Sequence, residues 1–526
     1  MNRRPDPITT EVIACHLHAT AQEMGVVLMR TAFSPNIKER HDFSTAIFDP
    51  QGNVVTQAEH VPIHLGSMIG AIDSIRSRFA DWKIGPGDMF ITNDPYTGGG
   101  SHLPDLNLIA PVFHGDRIIA FVANIAHHAD VGGMVPGSEA AICESIFQEG
   151  LRLPPVRLMF RGEVVQDMFD VILLNSRTPE ERKGDLNAQI AANRVGIRAL
   201  RRLIERYGPD FFQQALASYL DFTERRLRSA VSNLPNGLYR AEDFLGGDDD
   251  STLAKLVCKL VVSNGHLTFD FNGTDPQLVQ ARNIPHQALV ACVYCVTKAV
   301  LDPDAPANGG AFRIVSIKAP KGTIVQPVSP APVGTRSISC GVLSDVVLNV
   351  LSQAVPGHGF AGSGPHALLV LAGTDPRTGK YFVNYETVAG ALGAQPDRHG
   401  LDAVRTLTSG SANLPVEALE HAYPLRVETY ALRQGSGGSG KFRGGRGIVR
   451  DVRVLGENVT VSVSGERQQV AAPGMDGGGN GALGEFIINP DGPRERKLSS
   501  AVSGEKLPPG TIIRVATPGG GGWGKA

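Results

Sequence analysis

The sequence predicts an α+β protein with a mixed α/β N-terminal half and a mostly β, glycine-rich C-terminal half. Up to about residue 235, segments with the helical spacing of apolar residues alternate with segments of period two. Short β-like runs separated by turns dominate from residue 237, and the 61 Gly and 35 Pro indicate many turns. We therefore expect a mixed α/β domain over residues 1–235 and one or more mostly β domains, with inserted helices, over residues 236–526.

The N-terminal half begins with a predicted helix over Ile8–Phe33, because apolar residues recur at positions 13, 17, 21, 24 and 28. Thr9 or Thr10 is expected to cap this helix. Two period-two segments on either side of the turn Asp49–Asn53 predict a β-hairpin. Further helices are expected over Leu65–Trp82, Pro179–Gly208 and Pro209–Leu234, and strands over Asp88–Asp94 and Arg117–His128.

The C-terminal half contains a strong hairpin signal, the turn dipeptide Asn264-Gly265 inside the segment Leu256–Gly273. Two helices are expected to interrupt the β structure, over His286–Leu301 and Ser344–Val355. The rest of this half is β-like and rich in glycine to its end.

The bulk composition excludes several classes of partner. The 526 residues are 42% hydrophobic and 19% charged, as in an ordinary soluble globular protein. A formal net charge of −2 provides no broad positive surface for nucleic acid or an anionic membrane. The N-terminus lacks the apolar core of a signal peptide, and the longest apolar run, Ala288–Val296, is far shorter than a membrane span. We expect a cytoplasmic protein without nucleic-acid or membrane partners.

The stretch Gly435–Phe442, GSGGSGKF, has the glycine and lysine spacing of a phosphate-binding loop. The residue after the lysine is Phe442, however, where such loops carry a Ser or Thr that holds the metal ion. The following Arg443–Gly447 is too rich in glycine to begin a helix, so no helix N-terminus would face the phosphate. We therefore interpret this stretch as a glycine-rich turn between strands.

Three other motifs are weak. Cys292 and Cys295 form a C-x-x-C inside an apolar helical stretch, without a second pair to complete a zinc site, and are expected to be buried thiols. The acidic stretch Gly246–Ser251 lacks the EF-hand pattern for calcium and is expected to be a solvated turn. Gly357–Gly362 has dinucleotide-fingerprint spacing but follows a helix rather than a strand, which is the reverse of the required context.

The most informative region for chemistry contains His102, Asp105, His127 and His128. The first two stand three residues apart in a glycine-bounded loop, and the two adjacent histidines end an apolar strand. Two imidazoles and one carboxylate are a ligand set for a divalent metal with open positions for water. In an extended strand, neighbouring side chains point to opposite faces, so only one of the adjacent histidines reaches a given metal. The alternative is that these are polar loop residues satisfied by backbone hydrogen bonds.

Candidate acid–base residues lie earlier in the chain. The segment EHVPIHLGS supplies Glu59, His60 and His64, and the segment KERHDFS adds Asp42. A structured loop without catalytic function is an equally good interpretation of the first segment. The absence of a G-x-S-x-G elbow from the sequence argues against a serine hydrolase.

The same motifs resemble the hydantoinase B/oxoprolinase family nearly from end to end. The family comprises the second subunit of ATP-dependent hydantoinases, the corresponding half of 5-oxoprolinase, and related subunits of acetone and acetophenone carboxylases. The resemblance rests on the following segments, in chain order: DPITTEVI, EMGVVLMRTAFSPNIKERHDFSTAIFD, QAEHVPIHLGSM, NDPYTGGGSHLPD, HHADVGGMVPGS, APVGTRS, SGGSGKFRGGRG and TPGGGGWG. Eight such segments in one order make a highly specific signature.

The resemblance implies a ligand set for Zn, Mn or Fe formed by His102, Asp105 and His127, with Asp42 as a candidate fourth ligand. His128 is then expected to lie next to the ligands without binding the metal itself. The resemblance also implies a partner, a hydantoinase A-type ATPase, which binds ATP and phosphorylates the substrate, so ATP is not expected to bind this chain. The two subunits would form a hetero-oligomer such as α2β2.

In this scheme the chain opens a hydantoin, 5-oxoproline or similar lactam with a metal-activated water, and Glu59, His60 or His64 moves the proton. One alternative is a subunit of an acetone- or acetophenone-type carboxylase, in which bicarbonate is activated and an enolate attacks it. The modest chain length favours the amidase. The other alternative is a non-catalytic scaffold for the ATPase subunit, which would not need to retain an open metal site.

Overall fold

The computed structural model describes residues 5–58, 60–79, 84–247, 251–355 and 357–526. Helices and four β-sheets alternate along this part of the chain, which confirms the α+β fold class. Neighbouring strands pair antiparallel except for one parallel pair in the second sheet.

The N-terminal part is built around a seven-stranded sheet in the order β2-β1-β5-β4-β3-β6-β7. Its strands are β1 Phe43–Phe48, β2 Val54–Gln57, β3 Met89–Thr92, β4 Asp105–His114, β5 Arg117–His127, β6 Val156–Phe160 and β7 Glu163–Val164. Its helices are α1 Pro7–Thr31, α2 Pro35–Lys38, α3 His64–Arg78, α4 Gln166–Leu174, α5 Pro179–Tyr207 and α6 Pro209–Ser232, with a short 3-10 helix at Ile146–Gln148. The sequence patterns predicted the long helices and the β1–β2 hairpin, whereas β4 and α4 were not predicted.

The two faces of this sheet pack against different helices, and this arrangement determines on which face the predicted metal ligands lie. Ala120, Val122 and Ala126 of β5 face the core that contains α1 and α5. Phe121 and Ile125 of β5 face the core that contains α3. The period-two alternation of β5 therefore directs His127, its last residue, to the α3 face.

The N-cap prediction for α1 was wrong. Asp6, rather than Thr9 or Thr10, caps the helix, because its carboxylate accepts the backbone N–H of Thr9 at 3.0 Å and Pro7 occupies the first turn. Among the described helices, α1 is the one whose length and apolar composition would allow it to cross a membrane. Its buried stripe, which includes Leu17, belongs to the same core as α5, so its apolar residues stabilise the fold.

The second part contains a four-stranded sheet in the order β11-β10-β9-β8. Its elements are β8 Gly237–Gly246, β9 Leu253–Ser263, β10 His266–Asp270, α7 His286–Leu301, a 3-10 helix at Ala311–Ile314, β11 Val315–Lys318 and α8 Arg336–Ser352. The β9–β10 hairpin turns at Asn264-Gly265, as predicted, with positive φ at both residues. Helices α7 and α8 pack on this sheet in a core of their own.

The third part is a β-sandwich of a four-stranded sheet, β13-β12-β16-β19, and a five-stranded sheet, β14-β15-β20-β17-β18. Its elements are β12 Ala367–Thr374, β13 Tyr381–Val388, α9 Val416–Ala422, β14 Leu425–Leu432, β15 Ile448–Val454, β16 Glu457–Ser464, β17 Glu485–Ile488, β18 Arg496–Leu498, β19 Ala501–Leu507 and β20 Ile512–Ala516. Residues of both sheets share one apolar core. The two-domain division at residue 235 stays a prediction.

The glycine-rich segments pack backbone against backbone. The N–H of Gly438 donates to the carbonyl of Gly520, and the N–H of Gly520 donates to the carbonyl of Gly445. A Cβ on Gly444 would lie 1.9 Å from the carbonyl oxygen of Gly520, so no side chain fits there. The Gly435–Phe442 stretch belongs to this assembly, and no helix follows it among the described residues, which supports its interpretation as a structural turn.

The C-x-x-C, fingerprint-like and acidic motifs lie in α7, after α8 and at the end of β8, respectively. Cys292 and Cys295 lie on α7 as free cysteines. Gly357–Gly362 follows α8 and leads to β12, and therefore does not open a helix. Three residues of Gly246–Ser251 fall outside the described part of the chain, and so the solvated-turn interpretation stays a prediction.

Candidate metal centre

Asp105 and His127 are brought together by strand pairing. Asp105 begins β4, His127 ends β5, and the two residues lie opposite each other in the antiparallel ladder. His102 approaches from the loop that precedes β4. One ligand atom from each of these three residues lies within 4.8 Å of the other two, and all three residues are buried. The predicted trio thus forms a compact cluster of two imidazoles and one carboxylate.

Two atoms of this cluster lack hydrogen-bond partners among the described residues. The Nδ1–H of His102 donates to the carbonyl of Gly334 at 3.0 Å, so Nε2 is the nitrogen that would bind a cation after losing its proton. That Nε2 lies 3.0 Å from Oδ2 of Asp105 but forms no hydrogen bond, and Oδ1 of Asp105 is also unpartnered. Buried polar atoms are costly when unpaired, so an imidazole nitrogen and a carboxylate oxygen left unpaired side by side fit a bound cation.

Arg336 and Ser101 fix the orientation of the Asp105 carboxylate. Nη2 of Arg336 donates to Oδ2 of Asp105 at 2.5 Å and to Oγ of Ser101 at 2.9 Å. The Ser101 hydroxyl also donates to Oδ2 of Asp105 at 3.2 Å. These contacts occupy one carboxylate oxygen and leave Oδ1 for a ligand.

Glu139 and Tyr385 lie against the cluster, and the sequence patterns had not indicated either residue. Oε1 of Glu139 lies 3.1 Å from Nδ1 of His102 and 3.1 Å from Nε2 of His127, and it accepts the Tyr385 hydroxyl at 3.1 Å. The Tyr385 ring stacks on His127 with a centroid separation of 4.4 Å. The available signal for Glu139 was its position directly after the glycine-rich HHADVGGMVPGS segment, whereas Tyr385 comes from the distant strand β13.

The charges of the cluster control its protonation. Burial and Arg336 lower the pKa of His102, but the carboxylates of Asp105 and Glu139 outweigh them and raise it to about 9. Burial raises the pKa of Asp105, but His102, His64 and Arg336 together hold it well below its usual range. Burial likewise raises the pKa of Glu139, but hydrogen bonds from His102 and His127 outweigh this effect and lower it. Both carboxyls are therefore ionised, and without a metal His102 holds a proton at neutral pH.

His64, the first residue of α3, reaches the cluster. Its Nε2 lies 3.6 Å from Oδ1 of Asp105 and 3.7 Å from Oδ1 of Asp42. Its Nδ1 lies 3.1 Å from Oγ of Ser44, which itself donates to the carbonyl of Val61. The Ser44 oxygen therefore accepts the Nδ1–H, and the lone pair of Nε2 faces the two carboxylates. Burial lowers the pKa of His64 despite these carboxylates, so its ring is neutral at pH 7.

The other predicted site residues lie elsewhere. Asp42 contacts His64 but lies outside the three-residue cluster. His60 packs against the Phe43 ring at a centroid separation of 4.6 Å, and the structure does not bring it to the cluster. His128 faces α5, where its Nε2 lies 3.0 Å from Oε1 of Gln189. Glu59 falls outside the described residues.

A small cavity of about 30 Å³ borders the cluster, and Asp42, His64, His127, Arg336 and Tyr385 are among the residues that line it. A single water occupies about 15 Å³ of such cavity volume, so the cavity has room for one or two waters. The arrangement combines three side chains that could hold a metal ion, a neutral imidazole and space for a water molecule. These are the components of a hydrolytic metal site.

Comparisons with known proteins agree with the resemblance seen in the sequence. The profile of the hydantoinase B/oxoprolinase family matches residues 6–526. A protein of Pseudomonas sp. strain NS671, provisionally assigned as the B-type subunit of a D-/L-hydantoinase, is 34% identical over 540 residues, which cover 99% of this chain and 90% of that protein. The 5-oxoprolinase of Dictyostelium discoideum is 32% identical, with 99% of this chain matching 40% of that longer protein.

Two solved structures share the fold. The ATP-dependent caprolactamase from Pseudomonas jessenii superposes with a TM-score of 0.90 at 29% identity, covering 99% of this chain and 92% of that chain. Nucleotide-free acetone carboxylase superposes with a TM-score of 0.92 at 19% identity, covering 99% of this chain and 76% of that chain. Because the family profile matches nearly every residue, this chain belongs to the hydantoinase B/oxoprolinase family.

Proposed function

We propose that this chain is the metal-dependent hydrolytic subunit of an ATP-dependent cyclic amidase. Its substrate is a hydantoin, 5-oxoproline or a similar lactam that a partner ATPase subunit has phosphorylated. The observation that carries the proposal is the pair of unpartnered, buried ligand atoms, Nε2 of His102 and Oδ1 of Asp105, beside His127. The names of the relatives, a hydantoinase of the B type and 5-oxoprolinase, support the substrate class.

The chemistry explains why two subunits would cooperate. An unstrained amide is a poor electrophile, and phosphorylation of its oxygen converts that oxygen into a leaving group. Water then attacks the activated carbon, the ring C–N bond breaks and the nitrogen takes up a proton. A second water hydrolyses the resulting acyl phosphate to the carboxylate and inorganic phosphate. His102, Asp105 and His127 would hold Zn, Mn or Fe, and Asp42 is the candidate for a further ligand. When bound, the cation supplies Lewis acidity that lowers the pKa of water from 15.7 towards about 7.

The residues around the trio have separate tasks in this proposal. His64 accepts the proton of the attacking water at Nε2, because its neutral ring directs the lone pair into the site. Arg336 holds the Asp105 carboxylate in orientation, and Glu139, whose Oε1 lies 3.1 Å from Nδ1 of His102, helps to orient the His102 ring. The stacked Tyr385 ring covers one face of His127 and limits access of bulk water from that side.

The partner in this proposal is a hydantoinase A-type ATPase subunit in a cytoplasmic hetero-oligomer such as α2β2, and ATP binds to that partner. A carboxylase subunit of the acetone or acetophenone type is the second candidate, favoured by the similarity of fold to acetone carboxylase. The higher identity to caprolactamase, 29% against 19%, favours the amidase. The buried ligand trio argues against a scaffold, which would not need it.

The test is reconstitution of the chain with a hydantoinase A-type subunit, ATP and a panel of hydantoins and lactams. We expect ATP-dependent formation of a ring-opened product, and its loss in the His102→Ala variant. His114→Ala is the matched control, because His114 lies exposed at the far end of β4. Carboxylation of a ketone without ring opening of any lactam would support the second candidate. Full activity of His102→Ala would contradict both enzymatic candidates.

A further inference from the structure

A larger cavity adjoins the candidate metal centre. It has a volume of about 560 Å³, opens at the surface beside β14, and has Tyr430 and Leu432 in its wall. Arg405, Ser409 and Ser411 line this outer cavity and also line the small inner cavity at His64 and His127. These three side chains therefore separate the surface from the candidate metal ligands.

Arg405 differs from the other cations near the site in its partners. Arg40 lies 3.8 Å from Asp42, Arg336 lies 2.5 Å from Asp105, and Arg450 lies 3.1 Å from Glu386. Arg405 instead donates to neutral oxygens: Oγ of Ser411 at 2.8 Å, Oγ of Ser409 at 3.4 Å, and the carbonyl and hydroxyl of Thr387. In the described part of the chain, no carboxylate forms an ion pair with it.

The guanidinium of Arg405 nevertheless keeps its charge. Burial and the neighbouring Arg40 lower its pKa to about 10, which is still well above neutral pH. A partly buried cation whose partners are neutral hydroxyls and carbonyls has no counter-charge, so an anion that replaces some of these partners would bind it more strongly than they do. The planar donor fork of arginine matches the oxygens of a phosphoryl group, and its place between the two cavities puts it on the path to the metal ligands.

We propose that Arg405 recognises the phosphoryl group of the activated substrate as it passes from the outer cavity to the metal ligands. This inference rests on the proposed function, because the phosphorylated substrate comes from the partner subunit. The inner cavity, about 30 Å³, is too small for a phosphoryl group. Ser409 and Ser411 must therefore move aside to admit the group. Phosphoryl oxygens that accept the hydrogen bonds of Arg405 in place of the two serine hydroxyls would free these serines to move.

The first test measures binding of inorganic phosphate to the metal-free chain by calorimetry, so that a metal does not contribute. We expect the unsubstituted chain to bind phosphate, Arg405→Lys to bind it more weakly, and Arg405→Met to lose roughly tenfold or more in affinity. Arg398→Met is the control, because Arg398 is an exposed arginine paired with Asp397. Equal binding by Arg405→Met, or no binding by the unsubstituted chain, would overturn the assignment.

The second test uses the complex with the ATPase subunit and measures ATP consumed per ring opened. Loss of phosphoryl recognition predicts that Arg405→Met consumes several-fold more ATP per product, with partial rescue in Arg405→Lys. An unchanged ratio in an Arg405→Met variant that folds normally would overturn the inference. Metal content separates the two proposals: a metal-loaded chain without phosphate binding contradicts only the role of Arg405, whereas a chain that never binds metal contradicts the proposed function.

Discussion

Arg336 donates to one oxygen of Asp105 at 2.5 Å, while the other oxygen of the same carboxylate has no hydrogen-bond partner among the described residues. One oxygen is thus fixed and the other is available to a cation.

Because residues that orient a metal ligand contribute to metal affinity, we expect Arg336→Met to weaken metal binding by about 10- to 100-fold. Competition with a chromogenic chelator measures this change. Arg117→Met is the control, since Arg117 forms an exposed pair with Asp210. Unchanged affinity in Arg336→Met would contradict the orienting role.

The pH dependence of metal binding follows from His102. Its pKa of about 9 in the metal-free site means that a proton occupies the ring at neutral pH and must leave before Nε2 binds a cation. Metal affinity should therefore rise by up to about tenfold per pH unit between pH 7 and 9, and level off above that range. Calorimetry in buffers of different ionisation enthalpy should show proton release on binding. Metal uptake without proton release at pH 7 would contradict this assignment.

Substitution of His64 should lower turnover without changing the metal content of the chain. In His64→Gln we expect the metal to be retained and kcat to fall by roughly 10²- to 10⁴-fold in the assembled complex. Because burial lowers the pKa of His64 below its ordinary 6.5, the ring stays neutral to lower pH, and the acid limb of the activity profile should lie below pH 6.5. An acid limb above pH 6.5, or normal turnover in the variant, would assign the proton transfer to another group.

The glycine assembly should be sensitive to a single methyl group. A Cβ on Gly520 would lie 2.2 Å from the carbonyl oxygen of Leu392, and the surrounding atoms are backbone that cannot rotate away. We expect Gly520→Ala to lower the free energy of unfolding by about 3 kcal/mol, measured by urea denaturation. Gly85→Ala is the control, because a Cβ there meets no atom within 4 Å. Equal stability of the two variants would show that the glycine packing is dispensable.

The sequence predicted that His102, Asp105 and His127 lie together, because the first two share one glycine-bounded loop and His127 ends a nearby apolar strand. Asp105 follows His102 by three residues, and β4 and β5 are consecutive antiparallel strands that place Asp105 opposite His127. The alternation of side chains along β5 also predicted that His127 and His128 face opposite ways, and the structure shows this. Local periodicity therefore placed the two histidines on opposite faces, and the family resemblance selected His127 as the ligand candidate.

The surroundings of the trio could not be predicted in the same way. Glu139 contacts Tyr385 across 246 residues, and Arg336 contacts Asp105 across 231 residues. No local spacing encodes such contacts, which depend on how the sandwich and α8 dock against the first sheet. Similarly, the glycine segments are uniform in composition, and their function in packing becomes visible only when the distant segments are seen side by side.

The most direct test of the central claim is elemental analysis of the purified chain beside His102→Ala and His127→Ala, with His114→Ala as the control. We predict about one equivalent of Zn, Mn or Fe in the unsubstituted chain and in the control, and its loss in both ligand variants. Absence of metal from the unsubstituted chain after reconstitution, both alone and in complex with the ATPase subunit, would contradict the account.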